Sequence, residues 1–318
     1  MAWSSAGLVG AGPWAELAVV PALAASPGTR LAKVWARRHD RAEELARPLG
    51  AEVVDTAEEA MDGVDAIAFC VPPDVQAALL PAALATGAVL LLEKPVARTV
   101  AQAEVLHDAR VPVRVHYARL LDVHLSAWLD DAAARGWDHA EVVLTNGATL
   151  GDDPFGRSPW RREQLGALWD LGPHALAWLH VVLGPSTSVT ASLDGSDVVL
   201  ETVHDAGVRA RSVVSVASSP PRESFVLHAR GGKEHPAPAH RQSGADTYAA
   251  LLESEVVDTS SPSWRAVADP FFSTALVATL AEAAAQLEGC VLPASHRSAS
   301  AYPSTPRPAT TPAATGET

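Results

Sequence analysis

The sequence predicts a two-domain α/β protein: an N-terminal doubly wound domain over residues 1–119, a C-terminal α+β domain on a mostly antiparallel open sheet over residues 120–294, and a disordered tail at 295–318. Three observations predict this. The first third alternates short apolar runs with helical stretches, the pattern of a parallel sheet covered on both faces. After Arg119 the alternation stops and strand-like runs follow one another. From Ser295 onward Pro, Ser, Thr and Ala dominate without apolar periodicity, a composition that cannot bury enough surface to order itself.

Composition bounds the function. With 318 residues, 48% of them apolar and 19% charged, the chain supports two cores. Its 24 basic and 37 acidic residues give a net charge of −13, which repels phosphate backbones and anionic lipid. The expected partners are therefore small molecules, with no nucleic acid and no membrane. Cys70 and Cys290 offer neither a disulfide framework nor metal-ligand spacing, so no metal is expected and a reducing cytoplasm fits. Residues 75–92 carry no charge, but Pro81 and Thr86-Gly87 divide them into helix and strand.

The elements follow in order. Ala6–Val9 reads as a strand that runs into Gly10-Ala11-Gly12-Pro13-Trp14-Ala15 and an Ala/Leu-rich helix to about Ala25. This is the G-x-G-x-x-A form of the dinucleotide-binding fingerprint of a Rossmann domain. Two glycines allow the tight turn and close approach of a pyrophosphate, and Ala15 lets helix and strand pack. A plain glycine turn is the other reading. The next strand, Leu31–Ala36, ends in Arg37 and Arg38 where an NAD site would put an acid for the ribose 2′-OH. Two guanidinium groups suit a 2′-phosphate, so NADP(H) is preferred to NAD(H), unless both arginines are merely a solvated helix start.

Further strands are read at Ala51–Val54, Ala66–Val71, Val89–Leu92 and Val111–Tyr117, with helices between. Val71-Pro72-Pro73 closes one strand as a rigid wall without N–H groups at positions 72 and 73. Glu93, Lys94 and Pro95 end the next, where open α/β sheets bind ligands, so Lys94 faces the reacting end of the cofactor or else caps a surface strand. In the second domain, Gly166–Leu183 (GALWDLGPHALAWLHVVL) puts Asp170 and His174 four residues apart in an apolar segment. As one continuous helix, or as one restarted at Pro173, it aims both groups into a cleft. A core histidine satisfied by an acid is the alternative. His180 falls on a nearly opposite helix face and reads as core. Trp160-Arg161-Arg162 is read as a solvated basic turn, with Trp160 able to floor a substrate site, and His116 and Tyr117 reach the crevice or pack beside it.

GAGPWA, FCVPPDVQA, LLLEKPVA and GALWDLGPHAL, in this order, resemble the Gfo/Idh/MocA family of oxidoreductases over most of residues 6–293. The resemblance implies that Lys94 bonds the reacting oxygen and the nicotinamide ribose, that Asp170 orients substrate hydroxyls, and that His174 passes the proton. It also implies a cis peptide before Pro95. The bulky Pro13-Trp14 pair departs from the pattern, as does His116-Tyr117-Ala118-Arg119 after the sixth strand. The expectation is an NADP-dependent enzyme acting on a ketone or secondary alcohol of a sugar, keto-sugar or cyclitol, with catalytic Lys94, Asp170 and His174 and substrate contacts from these three, Tyr117 and Trp160. Cofactor contacts are expected from Gly10, Gly12, Pro13, Trp14, Ala15, Arg37, Arg38, Val71, Pro72, Pro73, Glu93, Lys94 and Pro95. A non-catalytic NADP(H) sensor, or a reductase of an imine or apolar cyclic ketone, are the alternatives. The open sheet predicts a homodimer or homotetramer.

Overall fold

A computed structural model describes residues 3–26, 28–253 and 260–288, so the expected tail at 295–318 lies outside the described residues. Six parallel strands form the first sheet: β1 (Ser5–Val9), β2 (Arg30–Trp35), β3 (Glu52–Val53), β4 (Ala66–Phe69), β5 (Val89–Leu92) and β6 (Val113–Val115). Their order, β3-β2-β1-β4-β5-β6, reverses direction between β1 and β4. The carboxyl ends of those two strands therefore open a crevice, and the glycine turn leaves β1 into it. All five residues of β1 and all four of β4 are buried, as a sheet covered on both faces demands.

The helix expected to run uniformly to Ala25 is instead π-helical at Ala15–Val19 and α-helical at Val20–Ala25. Pro21 has no N–H for the ladder and its ring crowds the preceding turn, which the wider π turn accommodates.

The second sheet contains β7 (His139–Thr145), β8 (Ser186–Asp194), β9 (Asp197–His204), β10 (Arg209–Ser215), β11 (Arg222–His228) and β12 (Glu234–Pro236), in the order β12-β11-β7-β10-β9-β8. All pairings are antiparallel except β7 with β10. Along β7, Ala140, Val142 and Leu144 are buried while His139 and Glu141 are exposed, so one face packs and the other is open. Helix Gly166–Leu183 packs on the covered face against β7, β9 and β10, and helix Pro270–Leu287 packs against β8. The two helices meet at Gly172, where a Cβ would stand 2.8 Å from Leu280 Cδ2, so glycine there permits their close approach.

The chain then returns to its beginning. Helix Gly244–Glu253 packs on Val20–Ala25, and helix Pro262–Ala268 packs on β6. Among the described residues no single helix is long and apolar enough to cross a membrane.

Candidate active site

Helix Gly166–Leu183 is continuous through Pro173, so Asp170 and His174 stand one turn apart on one side of it. Pro173 withdraws the N–H that would have bonded the Trp169 carbonyl, which loosens the ladder in the turn that holds Asp170. Into that turn comes Lys94 from the end of β5: its Nζ donates to the Asp170 backbone oxygen at 2.7 Å and to Asp170 Oδ1 at 3.0 Å. Two of the three ammonium donors are thereby committed, leaving one for a ligand. Lys94–Pro95 is a cis peptide bond, as the family resemblance implies.

Arg161 completes the group. Its Nε donates to Asp170 Oδ2 at 3.0 Å and its Nη2 to Oδ1 at 3.3 Å, while the guanidinium lies 4.3 Å over the Trp160 ring. The solvated turn read at Trp160-Arg161-Arg162 is thus corrected, because Arg161 folds back onto a carboxylate nine residues on. Gly166 makes this possible: a Cβ there would sit 2.1 Å from the Arg161 carbonyl oxygen. Burial alone would raise the Asp170 pKa, but the charges of Lys94 and Arg161 overcome it and hold the carboxyl well below its ordinary range.

His174 is in the opposite state. It is buried, its Nδ1 has no hydrogen-bond partner, and its pKa lies well below the usual histidine value. Desolvation is the first cause, and the charges of Lys94 and Arg119 add to it. The ring is therefore neutral at pH 7. His180, on the same helix, accepts from Ser186 N at 3.3 Å and is held edge-on to His204, a core role with its pKa lowered by burial to about 3.

Behind Lys94, buried Gln76 ties the turn together. Its Nε2 donates to the Glu93 carbonyl at 2.8 Å and its Oε1 accepts from Glu93 N at 2.9 Å. Glu93 Oε1 is buried 3.3 Å from His116 Nδ1, and His116 Nε2 is 3.1 Å from Thr247 Oγ1. Tyr117 is not brought to this group: its hydroxyl donates to Ser273 Oγ at 3.1 Å and its ring meets Phe272 edge-on, so the expected substrate residue is a core residue. Trp160 is half-buried beneath Arg161 and Arg98. A recess of about 310 Å³ adjoins the helix at Leu171, lined among others by Arg119, Thr145, Asn146, Arg222 and Glu223.

At the cofactor end the backbone fits a dinucleotide. Gly10 has φ +112°, and a Cβ there would strike the Cys70 carbonyl oxygen at 2.3 Å. A Cβ on Gly12 would meet protein no closer than 3.9 Å, which leaves the loop approachable beside the start of the helix. Val71, Pro72 and Pro73 follow β4 on the other side of the crevice, where Pro73 opens helix Pro73–Ala85. Arg37 and Arg38 are exposed and form no ion pair among the described residues. Trp14 turns across the loop to lie 5.5 Å from the His116 ring and 6.2 Å from that of Phe155, its Nε1 buried without a partner.

The family described as an oxidoreductase family with an NAD-binding Rossmann fold, Gfo/Idh/MocA, matches residues 5–112. No curated protein matches the chain in sequence. Solved structures share its fold across both domains. An oxidoreductase from Thermotoga maritima superposes with a TM-score of 0.72 at 19% identity, over 88% of this chain and 95% of that one. GenD2 of gentamicin A biosynthesis, solved with NAD, gives 0.72 at 21%, over 91% and 95%. The myo-inositol dehydrogenase of Lactobacillus casei, solved with NAD(H) and myo-inositol, gives 0.71 at 15%, over 91% and 95%. The match over residues 5–112 makes the N-terminal part of the chain similar to the Gfo/Idh/MocA oxidoreductase family with its NAD-binding Rossmann fold, and the solved structures share the chain's fold.

Proposed function

We propose that the protein is an NADP-preferring oxidoreductase that moves hydride between nicotinamide and the C–OH or C=O carbon of a small polyhydroxylated or cyclic substrate of the sugar, keto-sugar or cyclitol type. The observation that carries this reading is the buried Lys94–Asp170–Arg161 group with unpartnered, neutral His174 one turn away. Burying three charges is costly and is repaid by a task at the site more readily than by stability. When bound, the nicotinamide accepts or supplies the hydride. Asp170 fixes the Lys94 ammonium, whose remaining donor binds the substrate oxygen and stabilises charge developing there. His174, neutral at pH 7, takes the hydroxyl proton as hydride leaves in alcohol oxidation and returns it in the reverse direction.

Arg37 and Arg38 support the NADP preference, since both are exposed beside the end of β2 and have no ion pair among the described residues. The polar recess at Arg119, Thr145 and Asn146 supports a hydroxylated substrate, and myo-inositol in the Lactobacillus casei enzyme supports the cyclitol class. Assembly into a homodimer or homotetramer through the open face of the second sheet, and a cytoplasmic location, belong to the same reading. The test is turnover on a panel of cyclitols, aldoses and keto-sugars with NADP⁺ and NAD⁺. Oxidation of at least one hydroxylated substrate is expected. Tight cofactor binding with no turnover of any would favour the sensor instead.

A further inference from the structure

The open face of the second sheet carries a group with no part in the proposed reaction. His139 on β7 and His228 on β11 are directly opposed in the antiparallel register, and Glu141 lies two residues along β7 on the same face. The imidazoles stack with centroids 4.0 Å apart and planes 8° from parallel. His228 Nε2 is 4.0 Å from Glu141 Oε2. That nitrogen is cut off from solvent and has no hydrogen-bond partner, a state a buried polar atom rarely keeps without a ligand.

We propose that His139, Glu141 and His228 form a zinc site. One ligand atom from each residue lies within 4.8 Å of the other two. Bonds of about 2.05 Å in a tetrahedron set ligands about 3.4 Å apart, so the ligand atoms must draw together by about 1.4 Å at most from their present spacing. Two imidazoles and a carboxylate suit zinc, whereas calcium and magnesium ask for oxygen alone. The three residues sit on two strands already paired, so binding needs no backbone rearrangement. Arg209 and Arg211 stand beside His139 and Glu141 on β10 and oppose a cation. Arg211 is held by Glu201 at 3.1 Å, and Glu234 opposes His228 from β12, adding a second carboxylate to the face. Three protein ligands leave the fourth position to water. Once bound, the metal would clip β7 to β11 in the half of the molecule that carries no expected cofactor.

The test uses the full-length protein, stripped with a chelator and titrated with zinc against a chromogenic competitor. One zinc per chain is expected, with the melting temperature rising with the logarithm of free zinc above the dissociation constant. The double variant His139→Ala with His228→Ala should weaken binding on the order of a hundredfold and abolish the thermal shift, and Glu141→Gln should weaken it about tenfold. All three positions lie on the sheet face proposed above for assembly, so circular dichroism checks the fold and gel filtration the oligomeric state of each variant. His174→Ala should bind zinc as the wild type does. Equal affinity in the double variant, no binding by the wild type at micromolar zinc, or loss of binding in His174→Ala would each overturn the assignment.

Discussion

The two ends of the cleft are built on different principles. At Gly10–Ala15 the chain offers backbone and space, and Arg37 and Arg38 after β2 are exposed with no ion pair among the described residues. At Asp170, protein groups alone complete the arrangement: two cations converge on one buried carboxylate, with donors at 3.0–3.3 Å. The cofactor end is built from backbone and open space, whereas the reacting end is organised by side-chain packing. The contrast teaches where each kind of specificity resides. On the proposed reading, recognition of a 2′-phosphate by Arg37 and Arg38 is a surface interaction that substitution can retune, while the Lys94 ammonium is aimed by a network that tolerates little change.

The largest effect should come from breaking the organised end. Asp170→Ala leaves Lys94 and Arg161 adjacent and buried without their anion, and removal of one partner from such a group costs about 3–5 kcal/mol. Chemical denaturation should show that loss, and a change below about 1 kcal/mol would mean water enters and the network is not structural. Next, His174→Ala should lower kcat by about a hundredfold while leaving NADPH affinity nearly intact. A kcat within about threefold of wild type in the folded variant would rule out the proton role. Because burial lowers the His174 pKa, the acid limb of alcohol oxidation should fall below neutrality rather than near it: the base is lost only as pH drops through the depressed value.

At the other end, Arg37→Asp should remove most of a preference for NADPH over NADH that is expected at about tenfold to over a hundredfold, since charge-assisted phosphate contacts are worth about 1.5–3 kcal/mol. Equal dissociation constants in the wild type would show that the exposed arginines do not read the phosphate. The smallest effect per residue concerns acid stability. His174, His180 and His204 all have lowered pKa values in the folded state, so the unfolded chain binds more protons and stability rises with pH. Stability should be full above about pH 7 and decline as pH falls below about 6.5, by about 2 kcal/mol at pH 5 for a group such as His180. A melting temperature flat from pH 7 to 5 would break this expectation.

Much of this was legible in the sequence. The alternation of apolar runs with helical stretches foretells β1–β6, and the succession of strand-like runs after Arg119 foretells the second sheet, because in both cases burial dictates the residue pattern. Lys94, Asp170 and His174 stand out because each is polar where its surroundings are apolar. Arg161 was hidden by its neighbours: in Trp160-Arg161-Arg162 nothing in the local pattern distinguishes the guanidinium that turns inward from the one that does not, and only the Gly166 contact decides. Gln76 does carry a signal, as the sole hydrogen-bonding side chain between Asp74 and Thr86 in a helix otherwise apolar. Tyr117 was misread because its hydroxyl finds Ser273, 156 positions further along, a partner no local pattern reveals.

The return of the chain to its starting domain has a consequence for synthesis. Arg114 Nη1 donates to the Leu251 carbonyl at 2.9 Å, His116 meets Thr247, and a Cβ on Gly244 would touch the Trp14 ring at 2.5 Å. The nucleotide-binding sheet is complete once residue 115 has left the ribosome, yet the helix that seats Trp14 beside the glycine loop follows some 130 residues later. At roughly 5–20 residues per second the nascent domain waits about 6–25 s with that indole and β6 uncovered. The glycine loop therefore acquires its final neighbours late, and a nascent chain halted before Gly244 should be more easily cleaved near Trp14 than the finished protein.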